Sequence, residues 1–309
     1  MADSIPLSRE MTFSYGEPRE MQPGVRRIVA NNPGPFTFKG TNTYLIGDDH
    51  VCVIDPGPDD AAHRNAILRA ADGKQITHIF LTHTHRDHCD GLSALKAVTG
   101  AKTYAFDPAR LTGQRGSVES SPSGSDFTDT DFWPDHPLAH GDVVKVGDWL
   151  LNALHTPGHA PDHLCFGLSH VASGETGTLI SGDHVMGWST TVVAPPEGNM
   201  GNYMRSLELL RSREDKIFLP GHGGAIRTPQ RVVKAYIMHR RWRESAILDC
   251  IRDGVADIDG IVARCYPSLD ASLIPAAGLS VLAHVGALVE SGAVSSSGPV
   301  TMDAHFSAA

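Results

Sequence analysis

Thr82-His83-Thr84-His85-Arg86-Asp87-His88 directly follows the apolar run Ile79-Phe80-Leu81 and directly precedes Cys89-Asp90-Gly91. Three imidazoles and a carboxylate this close together are hard to explain as packing. Mixed imidazole and carboxylate donors suit zinc, iron or manganese. In an extended segment residues two apart share a face, so His83 and His85 can point at one ion. If the chain then turns into a helix, Asp87 and His88 swing to the other side and can hold a second ion.

Working outward, Ile76 to Leu81 reads as a buried strand that delivers this motif at its C-terminal end. Leu92, Leu95 and Val98 mark one face of a helix ending at Gly100. Upstream, residues 1–24 read as an irregular arm, followed by a short strand from Val25 to Val29 and a turn at Asn31-Asn32-Pro33-Gly34-Pro35. Thr41 to Ile46 and Val51 to Ile54 read as two strands joined by the turn Gly47-Asp48-Asp49, and Asp59 to Ala71 has helical spacing. Downstream, residues 107–135 change texture: they are rich in Ser and Gly and end on Phe132 and Trp133. This insertion is either a tolerated surface loop or a lid over the site.

Strands resume at Val143 to Val146, Trp149 to Leu154, His163 to Leu168, Thr178 to Ser181 and Lys216 to Leu219, with a helix over Asn202 to Arg211. A long helix is capped at Thr228, carries Pro229 in its first turn and runs to Arg252. Beyond it the pattern is helical over Asp257 to Tyr266 and Ala271 to Ser291. A hairpin-like turn at Ser295-Ser296-Ser297-Gly298 follows. Strands alternating with helices predict an α/β catalytic domain over 1–228, and three helices with a terminal turn predict a small winged-helix-like domain over 229–309.

The 309 residues carry a net charge of −9, with 41% apolar and 20% charged side chains. That composition describes an ordinary globular protein and argues against an extended nucleic-acid grip. The five cysteines (Cys52, Cys89, Cys165, Cys250 and Cys265) lack Cys-x-x-Cys spacing, so neither a disulfide framework nor a thiolate zinc site is indicated. Cys89 reads as a small buried residue under the site rather than a ligand or nucleophile. Met1 to Pro6 shows no secretion signal and no run reaches about 18 apolar residues, so a cytoplasmic setting without a membrane span is expected.

Two ions need donors from more than one segment. Thr156-Pro157-Gly158-His159, Ser181-Gly182-Asp183 and Pro220-Gly221-His222-Gly223-Gly224 each follow an apolar strand and each contain glycine, which lets the backbone turn sharply. Together with the first motif they yield seven groups: His83, His85, Asp87, His88, His159, Asp183 and His222. Asp55, at the end of its own strand, reads as a partner that orients a ligand or the motif loop, with a simple turn residue as the competing reading. His163 is either a core histidine or such a partner, and His184 should point away from the centre. Asn42, Ser189, Thr190 and Thr191 are weaker candidates to face a substrate. Arg240, Arg241 and Arg243 with Trp242 read as solvated helix surface rather than a nucleic-acid patch.

This pattern resembles the metallo-β-lactamase fold superfamily, whose signature is His-x-His-x-Asp-His followed by separate His, Asp and His ligands. The resemblance implies a four-layered αβ/βα sandwich with the site along one edge of two packed sheets. It implies that His83, His85 and His159 hold a first ion, that Asp87, His88 and His222 hold a second, and that Asp183 bridges both. His88 and Asp183 together favour the two-ion hydrolases over true β-lactamases, which often carry Cys where Asp183 stands. Asn32 to Leu45, Thr156 to His163, Pro220 to Gly223 and the helix with His239-Arg240-Arg241 are similar to the β-lactamase-like protein 2 family. That family implies a C-terminal winged helix, a hydrolase activity and, in its animal members, a single-stranded RNA substrate. The insertion and the connection Ser169 to Gly177 depart from the family where substrate could be selected.

The function expected is therefore a metal-dependent hydrolase. In it a hydroxide bridged by two divalent metal ions, with zinc the first choice and iron or manganese also fitting, cleaves an ester, thioester, lactone or phosphodiester. Asp87 is expected to hold the nucleophile and pass a proton to the leaving group. The competing readings are a mononuclear iron oxidoreductase of the same superfamily and a non-enzymatic nucleic-acid-binding protein. Ala271 to Ser291 contains no Lys or Arg, so sequence-specific DNA binding is not expected, and the helix reads as a wall of the substrate groove or a homodimer contact.

Overall fold

Successive apolar residues send their side chains to opposite faces, and that period of two sets the layers. The computed structural model describes residues 5–112, 128–129 and 132–309. One sheet contains β1 (Arg19–Gln22), β2 (Val25–Val29), β3 (Asn42–Ile46), β4 (His50–Ile54), β5 (Gln75–Phe80), β6 (Lys102–Phe106) and β7 (His136–Leu138), adjacent in that order. The other contains β8 (Val143–Val146), β9 (Trp149–His155), β10 (Leu164–His170), β11 (Thr178–Gly182) and β12 (Ile217–Pro220), again neighbours in chain order. In β4, Cys52 and Ile54 enter the core between the sheets, where Phe166 of β10 and Leu219 of β12 meet them. Val51 and Val53 face the other way, toward helices α1 (Ala61–Ala70) and α3 (Leu92–Thr99). The one-turn helix α2 (Arg86–Cys89) lies between β5 and α3, and α4 (Ala109–Thr112) follows β6.

The second sheet is covered by α5 (Met200–Arg211) and the first half of α6 (Pro229–Arg252), which bury Tyr203, Leu207, Val233 and Tyr236 against Phe218 and Leu179. The result is the four-layered αβ/βα sandwich expected. The connections explain which strand ends meet. β4, β5, β6 and β7 pair in parallel, as do β11 and β12, so helical crossovers bring several strand C-termini to one edge.

The last turns of α6 pack with α7 (Ile258–Cys265), α8 (Ile274–Glu290), β13 (Val294–Ser296) and β14 (Phe306–Ala308) around Ile258, Ile261, Val281, Val285 and Phe306. Two local expectations are corrected, and two unassigned segments prove to be strands. Residues 1–24 are not wholly irregular, because β1 pairs with β2. Lys102–Phe106 and His136–Leu138 are strands within the first sheet. Ser295 and Ser296 belong to β13 rather than to a tight turn, and its partner β14 begins only at Phe306. No helix among the described residues is long and apolar enough to cross a membrane. The insertion over 107–135 falls largely outside the described residues, so the choice between loop and lid lies outside them too.

Candidate metal centre

Five strand ends converge on one edge of the sandwich. β5 leads into the His83–His88 motif, β4 into Asp55, β9 toward His159, β11 into Asp183 and β12 toward His222. The turn to helix occurs as the motif needs: His85 is the extended N-cap of α2, so Asp87 and His88 rotate away from His83 and His85. Three donor groups result, each with ligand atoms within 4.8 Å of one another: His83, His85 and His159; His83, His88 and Asp183; Asp87, His88 and His222. Asp183 Oδ2 lies 3.3 Å from His222 Nε2 and 3.7 Å from His159 Nε2, and its Oδ1 lies 3.7 Å from His88 Nε2. All seven expected residues thus meet in one place.

Each imidazole is fixed from behind. His83 Nδ1 faces Thr82 Oγ1 at 2.9 Å, and that hydroxyl spends its own proton on Asp55 Oδ2 at 2.7 Å. His88 Nδ1 donates to the same Asp55 oxygen at 2.9 Å. His159 Nδ1 donates to the Val192 carbonyl at 2.7 Å, and His222 Nδ1 to the Gly40 carbonyl at 3.3 Å. His85 is reversed, with Nε2 donating to Glu197 Oε2 at 2.9 Å. With the outer nitrogens protonated, the inner nitrogens of the neutral rings present lone pairs. His83 Nε2 and His85 Nδ1 are 2.9 Å apart, and His159 Nε2 is 3.0 Å from the same His85 atom. Lone pairs cannot all face one another this closely without a shared cation or proton.

Asp183 Oδ1 adds a buried acceptor with no hydrogen-bond partner among the described residues. A Cβ at Gly221 would sit 2.4 Å from that oxygen and 2.8 Å from His88 Cε1, so only glycine allows the β12 turn to close on the site. The donor set and its orphaned oxygen fit divalent cations.

Electrostatics divides the cluster. Burial, reinforced by His88, His85 and His159, holds His83 well below the ordinary imidazole range, and burial with His85 lowers His159 to about 4. Both are neutral and ready to donate. Burial also opposes charge on His88 and His222, but carboxylates win there. Asp87, Asp183 and Asp55 raise His88 well above its ordinary value, and Asp183 with Asp87 raises His222 to about 9. Burial in turn opposes ionisation of Asp87 and Asp183, yet His88 and His222 hold both well below the usual carboxylate range.

Several neighbours resolve open readings. Asp55 accepts from Thr82 N at 2.7 Å and adopts φ 52°, a left-handed conformation uncommon for a non-glycine residue. His163 is fully buried and joins Thr156 Oγ1 on one side to the backbone N–H of Asp183 on the other. His184 is buried against Tyr203, away from the donors. Asn42 braces the His222 turn by donating to the Pro220 and Gly223 carbonyls, so it does not face a substrate. Thr191 is likewise spent, bonding the carbonyls of Asp183 and His184, whereas Ser189 and Thr190 are half-buried. Cys89 is buried, its thiol donates to the Thr84 carbonyl at 3.4 Å, and it lies outside the three donor groups. Arg240 corrects the solvated-surface reading: it is buried, donates to the Thr191 carbonyl and lies over the Tyr203 ring.

Glu197 and Asp162 had no sequence signal, because their partners are distant in the chain. Glu197 holds His85 and also accepts from Thr128 Oγ1 at 2.7 Å. Asp162 accepts from both the N–H and the hydroxyl of Thr84 in the motif.

The family model described as "Metallo-beta-lactamase superfamily" matches residues 36–222. The chain is 32% identical over 277 residues to the "Beta-lactamase-like protein 2 homolog" of Drosophila melanogaster, covering 87% of this chain and 88% of that one. It is also 32% identical over 213 residues to an atrochrysone carboxyl ACP thioesterase of Paecilomyces divaricatus, where the match spans 67% of this chain and 58% of the relative. Among solved structures, a beta-lactamase domain protein from Burkholderia ambifaria superposes with a TM-score of 0.75 at 22% identity, covering 97% of this chain and 96% of that one. A metallo-beta-lactamase family protein from Thermus thermophilus gives 0.71 at 24% identity, covering 94% and 100%. These two structural likenesses concern the fold.

Proposed function

The chain belongs to the metallo-beta-lactamase superfamily, and from that premise we propose that it is a hydrolase that cleaves an ester-type bond at a centre of two divalent cations, zinc first among them. His83, His85 and His159 would hold one ion, Asp87, His88 and His222 the other, and Asp183 both. The observation that carries this reading is the set of five imidazoles that each turn one nitrogen into the cluster while the other is held by an outward hydrogen bond. When bound, such ions lower the pKa of water toward neutrality and polarise the oxygen of the bond under attack.

The protein's own groups do the rest. Asp87 Oδ2 accepts from Thr41 Oγ1 at 3.1 Å and lies 3.2 Å from His222 Nε2, so its carboxylate is fixed at the mouth of the centre. From there it would orient the attacking water as an acceptor and pass the proton to the leaving group. Asp55 keeps His88 and, through Thr82, His83 aimed inward. Phe38 and Trp188 stack at 4.8 Å beside the His222 turn and offer an apolar wall for the uncharged part of a substrate.

The thioester is the first substrate to test, because one relative bears the name thioesterase; lactones, other esters and short single-stranded RNA complete the panel. Two donor triads favour this reading over a one-iron oxidoreductase. The nucleic-acid regulator loses its basic patch, since Arg240 is buried and Arg241 pairs with Glu208. The division at 228/229 stays our proposal, with α6 as the first helix of the winged-helix-like unit. Metal analysis should give two ions per chain, and the panel should show turnover that disappears on chelation. One iron per chain with oxygen uptake would replace this function with the oxidoreductase.

A further inference from the structure

Away from the metal centre, the fold brings two thiols into contact that the sequence separates by fifteen positions: Cys250 Sγ lies 3.6 Å from Cys265 Sγ. Cys250 belongs to the last turns of α6 and is buried, while Cys265 ends α7 and is half-buried. The pair lines a surface cleft of about 340 Å³ together with Arg243, Arg264 and Trp242. Cys52, Cys89 and Cys165 are buried in the sandwich, so this cleft is where thiol chemistry meets solvent.

A disulfide needs sulfurs at roughly 2.05 Å, so closure asks for an approach of about 1.5 Å. Cys265 is placed to supply it, because a helix-terminal side chain moves without disturbing a hydrogen-bonded turn on both sides. The Arg243 guanidinium is held by the Cys265 carbonyl at 3.2 Å and by the Tyr266 ring, which keeps positive charge over the cleft. Positive charge there draws in an anionic reagent.

We propose that Cys250 and Cys265 form a modification site at which a small carboxylate-bearing disulfide, of the glutathione disulfide class, oxidises the dithiol to an intramolecular disulfide. The Cys265 thiolate attacks one sulfur of the small disulfide, forming a mixed disulfide and expelling one thiolate. Cys250 then loses its proton and attacks Cys265 Sγ, expelling the second. The protein gives up two electrons, the small disulfide takes them, and the two thiol protons finish on the two released thiols. Burial, and then the neighbouring Cys265, push the Cys250 thiol up to about 11, so Cys250 suits the second, intramolecular step rather than the first.

The test incubates the full chain with glutathione disulfide, quenches with acid and alkylates under denaturing conditions before mass analysis. The wild type should lose two hydrogens, retain no glutathionyl group and yield one cross-linked peptide joining Cys250 to Cys265. Cys250→Ala, which keeps that position apolar, should instead trap one glutathionyl group on Cys265. Cys265→Ser should react at least tenfold more slowly, because the remaining thiol is buried. A wild type that retains the adduct at the level of Cys250→Ala, or that is modified first at another cysteine, overturns the proposal. Circular dichroism of each variant confirms that the compared proteins are folded.

Discussion

Asp183 is the side chain that the proposed centre asks to serve both ions. Its two oxygens face His88, His159 and His222, and one of them has no hydrogen bond among the described residues. Asp183→Ala should leave the sandwich folded, reduce bound metal from two ions toward one and lower hydrolysis by ~100-fold or more. Metal analysis beside a turnover assay checks it, and unchanged metal content would refute the bridging role. Glu197 tests a different point, that a ring must be aimed as well as present. Removing its carboxylate in Glu197→Ala leaves His85 Nε2 without its acceptor, so the ring can rotate or shift its proton to the inner nitrogen. Metal affinity should fall by about 10- to 100-fold, the range for losing a hydrogen-bond partner behind a ligand. Competition with a zinc-binding dye reads this directly.

The strands deliver these residues, and their turns are as restrictive as the ligands. Gly221→Ala adds one methyl where Asp183 Oδ1 stands 2.4 Å away, and Gly182 approaches Thr82 and His163 nearly as closely at φ 48°. The expected result for Gly221→Ala is a protein with native far-ultraviolet circular dichroism that loses most of its metal, because the sheet survives while the turn shifts. At this scale the sequence was readable where a period was clean. β4, β5, β9 and β10 alternate between two buried faces, and α1 and α6 announce their starts through Asp60 and Pro229. It was unreadable where pairing rather than pattern makes the element. β7 is three residues long and β1 lies at an edge, and neither has enough residues to show a period. The seven donors were legible because glycine-containing turns follow apolar runs. Glu197 sits 112 positions from His85 and carries no such flag, and the Cys250–Cys265 contact exists only because α7 folds back on α6.

Across the whole molecule, buried neutral histidines make stability depend on pH independently of the metal ligands. His63 packs under the first sheet with Nε2 on Thr43 Oγ1, and His284 is fully buried in α8 with neither ring nitrogen hydrogen-bonded among the described residues. Burial, then the nearby Arg240 and Arg243, lowers His284 to about 3, and burial lowers His63 to about 4. An unfolded chain protonates both near pH ~6.5. Above that pH neither state binds the protons and nothing is lost. Below it the unfolded state takes up protons that the folded state refuses, so stability falls with pH until the folded-state values are reached. Each such histidine contributes a slope of up to about 1.4 kcal/mol per pH unit. His284→Leu should remove one of these slopes and also delete two buried polar atoms without partners. The variant should therefore match or exceed the wild type at pH 7 and gain on it steadily between pH 6 and pH 4. Urea denaturation across that range measures the difference, and parallel curves for the two proteins would mean that His284 is already protonated in the fold. Because α8 packs on both α5 and α6, and Arg240 of α6 holds the loop that receives His159, acid weakening there would reach the metal centre before the sheets open.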